Sequence, residues 1–124
     1  MMSGNPSLIR TESHGDTLVV SVDVASIDSA NAVGIQEAIE SAAAATPGTA
    51  VLLDLAEVER LASMGLGVLV YLHTVLRRAN RRFGVCGARG EAAAAIRLAM
   101  LDRLLEVCGS VGEFLLRVRS ADGK

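Results

Sequence analysis

Aromatic side chains and net charge are both scarce in this 124-residue chain. It contains Tyr71, Phe83 and Phe114 but no tryptophan, so it offers little surface on which bases or sugars stack. Its formal net charge at pH 7 is only −2, which argues against an electrostatic nucleic-acid interface. We therefore expect no nucleic-acid partner.

Side chains that bind metals or form disulfides are equally few. The two cysteines, Cys86 and Cys108, lie in apolar segments, which favours buried, reduced thiols and leaves a disulfide as the alternative. The two histidines have no zinc-site spacing. We expect His14 to be solvated in a turn, and His73 to be a core or edge residue of a helix rather than a base. No metal and no cofactor is predicted.

No apolar run of the sequence is long enough to span a bilayer. The first ten residues lack the basic and apolar segments of a signal peptide. We therefore expect a cytoplasmic protein that does not insert directly into a membrane. The apolar share of 51% and the charged share of 21% are typical of a folded protein. We predict a single domain over residues 1–124 with its core at about 8–119.

Segments with strand and helix patterns alternate along the chain. Short apolar or alternating runs predict five strands, at 8–13, 17–24, 50–55, 83–87 and 105–108. Helical spacing and capping residues predict four helices, which begin near Asp28 or Ser29, Met64, Glu91 and Ser110. Strands that alternate with helices imply parallel crossovers, while the first two strands read as a hairpin. The fold class is therefore α/β, with a mixed, mostly parallel sheet of about five strands and about four helices.

The segment from Ala50 to Ala79 contains the residue most suggestive of function. Its strand at 50–55 is apolar enough to be covered on both faces, and its helix from Met64 is apolar around most of its circumference, which predicts that it is largely buried. Ser63 stands where the strand-to-helix link ends, so we expect it to be the helix N-cap. The serine is then either a cap worth about 1 kcal/mol or a phosphorylation site, since a helix N-terminus favours an anion.

Other polar groups give open or weak signals. The four arginines Arg77, Arg78, Arg81 and Arg82 favour a solvated helix end that complements the dipole, with a basic patch for an acidic partner as the alternative. Asp54 either bonds locally at the sheet edge or faces the same site as Ser63. There is no G-x-G-x-x-G, Walker or G-x-S-x-G motif. We predict no catalytic residue and no enzymatic activity.

Three motifs of this chain resemble the STAS domain family, in particular the bacterial anti-sigma factor antagonists. They lie along nearly the whole chain: Ile27-Asp28, then Leu53-Asp54-Leu55-x-x-Val58 followed by Ser63-x-Gly65-Leu66-Gly67-Val68-Leu69, and Met100-Leu101-Asp102-Arg103-Leu104-Leu105. The resemblance implies a protein that binds an anti-sigma factor with serine kinase activity and so frees the sigma factor. It implies that the kinase phosphorylates Ser63, which ends the complex, and that a serine phosphatase reverses this.

The resemblance also implies which residues meet the partner. By their positions in the motifs they are Asp28, Ala62, Ser63, Met64, Gly65 and Leu66. Ala62 stands where the family usually has Asp, which leaves the binding role better supported than the phosphorylation cycle. The alternative is a STAS-type scaffold or accessory subunit without such a cycle, either a stressosome-like component or the cytosolic subunit of an ABC-type lipid transporter.

Overall fold

Strands and helices alternate along residues 8–122, the part of the chain that this computed structural model describes. The strands are β1 (Ile9–His14), β2 (Thr17–Val22), β3 (Ser26–Ile27), β4 (Ala50–Asp54), β5 (Arg60–Leu61), β6 (Arg82–Cys86) and β7 (Glu106–Cys108). The helices are α1 (Ala32–Ala45), α2 (Ser63–Arg78), α3 (Gly90–Leu98) and α4 (Val111–Asp122), with a short 3-10 helix at Leu101–Arg103.

Five of the strands form one sheet in the order β1-β2-β4-β6-β7. β1 and β2 are antiparallel and are joined through Gly15, whose φ of 60° costs glycine less than it costs a residue with a side chain. The remaining neighbours are parallel, as crossover helices require. The predicted α/β class, the mixed five-stranded sheet, the four helices and the opening hairpin are confirmed. The parallel pair of β3 and β5 was not predicted.

Alternation along the strands divides the core between the two faces of the sheet. One face carries Val20, Leu53 and Val85, which pack with α1, α2 and α3. The other carries Val19, Leu52 and Cys86, which pack under α4. β4 contributes buried residues to both faces, so the prediction that it is a covered central strand is confirmed.

Both cysteines lie in the core beneath α4. Cys86 and Cys108 occupy directly paired positions of β6 and β7, and both are free and buried. Burial raises the pKa of the Cys86 thiol to about 12, so the thiol is protonated at neutral pH. The expectation of buried, reduced thiols is confirmed.

The expectation that α2 is largely buried is wrong, and the expectation of solvated arginines at its end holds only for the two that lie within the helix, which are exposed. Only one face of α2 is buried, and Tyr71 on the outer face is 41% exposed, because the helix packs on the sheet from one side only. The arginines near its end are not uniformly solvated. Arg81 donates to the carbonyl oxygens of Ala43 at 2.7 Å and Thr46 at 2.8 Å, so it stabilises the end of α1.

Candidate functional site

The site predicted around Ser63 lies where β5 passes into α2. The Ala62 N–H donates to the Ile27 oxygen at 3.0 Å, which continues the pairing of β5 with β3 by one residue. The Ala62 oxygen then accepts the first helical hydrogen bond, from the Leu66 N–H at 3.0 Å. Ala62 is therefore the N-cap and Ser63 the first helical residue, with no side-chain capping bond. The expectation that Ser63 caps the helix is wrong, because strand pairing holds the preceding residue extended.

Ser63 is nevertheless exposed, and it lies at the positive end of the α2 dipole, which favours a negative charge. Ala62 and Met64 beside it are exposed too, Met64 to 46%. The first amide groups of a helix have no intrahelical partner and carry the positive end of its dipole. No acidic residue stands in the first turn of α2. An anion bonded to the Ser63 oxygen therefore meets attraction from the helix.

Asp28 is held in a fixed loop between β3 and α1. Its Oδ1 accepts from the Ala30 N–H at 3.0 Å, and its own N–H donates to Oδ1 of Asn31 at 3.0 Å. The Asn31 amide also donates to the Ser26 oxygen at 2.8 Å, which closes the loop. The expectation that Asp28 or Ser29 caps α1 is wrong, since Asn31 occupies the N-cap position. Sequence reasoning missed this positioning role, although an Asn directly before a helical pattern is a signal for it.

Pairing of β3 with β5 brings Asp28 and Ala62 into one open groove of about 530 Å³. Arg60 and Glu91 line it as well, and their side chains form an ion pair at 3.1 Å while each is 71% exposed. Such an exposed pair contributes little stability and opens easily. Neither residue was predicted, because nothing in the local sequence indicates that the start of α3 reaches β5.

The remaining predicted contact residues lie beneath the exposed ones. Gly65 is buried, and a Cβ there would lie 3.0 Å from both Cγ2 and the oxygen of Ile27. Leu66 is half-buried and packs on the core. Gly65 thus permits the close approach of α2 to β3 that fixes Ser63 relative to Asp28.

Polar residues outside this groove have local roles. Asp54 accepts from the Ala56 N–H at 3.0 Å, which favours the local bond over a contact with the Ser63 site. His14 is exposed and lies 3.2 Å from Glu12, whereas His73 is half-buried on α2. Within residues 8–122 no group of His, Cys, Asp or Glu side chains is arranged to hold a metal ion.

Comparison with known proteins identifies the family. The family model of the STAS domain matches residues 9–114. The chain belongs to the STAS domain family. A solved anti-sigma factor antagonist from Mycobacterium paratuberculosis is 35% identical to this STAS chain, with a TM-score of 0.77 over 93% of this chain and 97% of that one.

Solved structures of lower sequence identity share the fold. A putative anti-sigma factor antagonist from Thermotoga maritima is 20% identical, with a TM-score of 0.78 over 90% of this chain and 94% of that one. The anti-sigma factor antagonist SpoIIAA in its unphosphorylated form is 16% identical, with a TM-score of 0.73 over 90% and 96%. No curated protein matches this chain significantly. Among the described helices of this STAS domain, none is both long and apolar enough to cross a membrane.

Proposed function

We propose that this STAS domain is an anti-sigma factor antagonist, a cytoplasmic binding module without enzymatic activity of its own. Its partner is an anti-sigma factor with serine kinase activity. The observation that carries the proposal is the exposed Ser63 at the first position of α2, beside a loop in which Asp28 is fixed. The 35% identity to an antagonist over nearly both chains supports the same role.

The contact surface of the proposed complex is the start of α2 with its neighbouring groove. Ala62, Ser63 and Met64 are exposed there and available to a partner, while Asp28 lines the groove from the loop after β3. Gly65 and Leu66 act from below, by holding the first turn of α2 against Ile27 and the core. A partner thus meets a preformed surface that needs little ordering on binding.

We further propose that phosphorylation of Ser63 switches the complex off and that a serine phosphatase restores it. A phosphate adds about −1.5 to −2 charges at pH 7. At the start of α2 the helix dipole offsets this charge by roughly 0.3–1 kcal/mol, so the domain stays folded. A partner that buries the same spot has to desolvate the dianion. A penalty of about 3 kcal/mol weakens binding more than a hundredfold.

Ala62 supports one alternative, a STAS scaffold or accessory subunit that binds partners without a phosphorylation cycle. Asp is usual before the signature serine of the family, and here the N-cap carries only a methyl group. A kinase therefore lacks a carboxylate on that side of Ser63 with which to orient the hydroxyl or a metal. Asp28 and Glu91 are the acidic residues that line the groove.

The test combines the purified chain with its cognate anti-sigma kinase, with and without ATP. We expect one phosphate, located by mass spectrometry at Ser63. We also expect Ser63→Asp to weaken the complex at least tenfold in titration calorimetry, whereas Ser63→Ala binds as the wild type does. Ser110→Asp is the matched control, because it introduces the same charge at the start of α4 and Asp caps a helix well.

Each outcome separates the two candidate functions. Tight binding by Ser63→Asp rules out the switch. Binding that is sensitive to Ser63→Asp without any phosphate transfer favours the scaffold. Equal weakening by Ser110→Asp means that general charge, not the surface at α2, controls the complex.

A further inference from the structure

A second pocket lies at the opposite end of α2 from Ser63. It has a volume of about 340 Å³ and opens between α2 and the segment that joins the 3-10 helix to β7. His73 and Arg77 line one side and Leu104 the other, while Arg82 and Glu106 contribute from β6 and β7. Residues 73 and 77 are four positions apart, so they stand on the same side of the helix.

More positively charged than negatively charged residues line this pocket. Three guanidinium groups line it, those of Arg77, Arg81 and Arg82, against the single carboxylate of Glu106. That carboxylate already accepts two hydrogen bonds from Arg82, at 2.7 and 2.8 Å. The end groups of Arg81 donate to main-chain carbonyls at the end of α1, so its partners among the described residues are backbone dipoles rather than a carboxylate.

Donors remain unused within the same pocket. Among residues 8–122, neither the guanidinium of Arg77 nor the ring of His73 has a hydrogen-bond or ion-pair partner. The Nε of Arg81 is buried and also has no hydrogen-bond partner in the described part of the chain. The Arg81 nitrogen is shielded from solvent, so the donors that an anion in the open pocket would satisfy are those of Arg77 and His73.

We propose that this pocket binds a phosphate dianion carried by a small phosphorylated metabolite. Arg77 and Arg81 bring two positive charges to the pocket, about as many as the negative charges of a phosphate monoester, and guanidinium groups suit its oxygens because they donate in a planar fork. The side chain of Leu104 is 46% exposed at the rim, where the organic part of an ester finds an apolar contact. Inorganic phosphate can accept the same hydrogen bonds, but it has no organic part to contact Leu104.

The pocket is independent of the proposed antagonist function. Ser63 and Arg77 are separated by about 20 Å along the helix axis, at 1.5 Å per residue. This is more than twice the Debye length of about 8 Å at physiological salt, so charge changes at one end are screened from the other. Binding of the partner at Ser63 and of phosphate at Arg77 therefore succeed or fail separately.

The test titrates the full chain with glycerol 3-phosphate and, separately, with inorganic phosphate, at constant ionic strength set by chloride. We expect saturable binding by calorimetry, tighter for the ester. The ring signals of His73 should shift in NMR spectra while those of His14, the other histidine, stay in place. Arg77→Gln should weaken binding about tenfold or more, since a hydrogen bond to a charged group is lost.

Arg78→Gln is the matched control for Arg77→Gln. Arg78 is the next residue of α2, is exposed and does not line the pocket. Its replacement therefore removes the same charge without removing a side chain that contacts the phosphate. Binding within about twofold of wild type is expected for this variant. The proposal fails if both variants weaken binding equally, if the His73 signals do not move, or if no saturation occurs at millimolar ligand. Tighter binding of inorganic phosphate than of the ester would reject the metabolite as the ligand.

Discussion

Gly84 leaves the space on β6 that the ring of Phe114 occupies. Phe114 comes from α4 and is fully buried, and the guanidinium carbon of Arg82 lies 5.4 Å from its ring centroid. A Cβ at position 84 would come within 2.8 Å of Cδ1 of that ring. The packing of Phe114 against β6 therefore requires that residue 84 has no side chain.

Gly84→Ala should consequently lower the free energy of unfolding by about 1–3 kcal/mol, the usual cost of overpacking a core. Gly67→Ala is the matched control, because an added Cβ there has no atom within 4 Å and the residue is exposed inside α2. It should raise the free energy of unfolding by up to about 1 kcal/mol through helix propensity. Urea unfolding of both variants measures the difference. A Gly84→Ala protein as stable as the wild type would contradict the packing argument.

The helices α2 and α4 begin in different ways, and the difference explains which starts the sequence predicts. In α4 the Ser110 hydroxyl accepts from the Glu113 N–H at 3.1 Å, and the Glu113 carboxylate accepts from the Gly109 N–H at 2.9 Å. The S-x-x-E pattern predicts this start because all the bonds are local. The start of α2 depends on the bond from Ala62 to Ile27, and no local pattern reports a pairing between such distant segments.

Ser110→Ala should therefore lower the free energy of unfolding by about 1 kcal/mol, the usual effect of losing a cap. Ser63→Ala should change it by less than about 0.5 kcal/mol, since Ser63 makes no capping bond. Thermal and urea unfolding of the two variants, measured side by side, test the pair. A loss at Ser63 as large as that at Ser110 would mean that the Ser63 hydroxyl does bond to the helix start.

Across the whole molecule, the sequence predicts the elements that have long hydrophobic patterns, but it does not predict pairings between strands of only two residues. Alternation in β2 and the continuous apolar run of β4 indicate the sheet and its covered centre, because many residues contribute to each signal. β3 and β5 contain two residues each, too few to show a period, yet their pairing creates the groove beside Ser63. Arg82 was expected to be solvated because its acidic partner Glu106 lies on β7, and no local pattern indicates a contact between residues so far apart in the sequence.

That partner, Glu106, connects three elements and gives the fold a predictable response to acid. It pairs with Arg82 of β6 at 2.7 Å and with Arg117 of α4 at 3.4 Å, and its side chain is only 22% exposed. The hydrogen bond from Arg82 is the main cause that lowers the pKa of Glu106 below its ordinary value of 4.5. As the pH falls below this value, the unfolded chain takes up the proton before the folded one does. The contribution to stability is therefore complete above about pH 4.5 and is lost towards the lowered pKa.

Glu106→Gln should lower the free energy of unfolding by about 1 kcal/mol at pH 7 and flatten its decline as the pH falls below about 5, because the glutamine does not titrate. The measurement is urea unfolding at several pH values across this range. Glu59→Gln is the matched control, since Glu59 is exposed and its carboxylate has no partner among residues 8–122. A wild-type acid profile in the Glu106 variant would show that other carboxylates, rather than the link between β6, β7 and α4, set the response of this domain to acid.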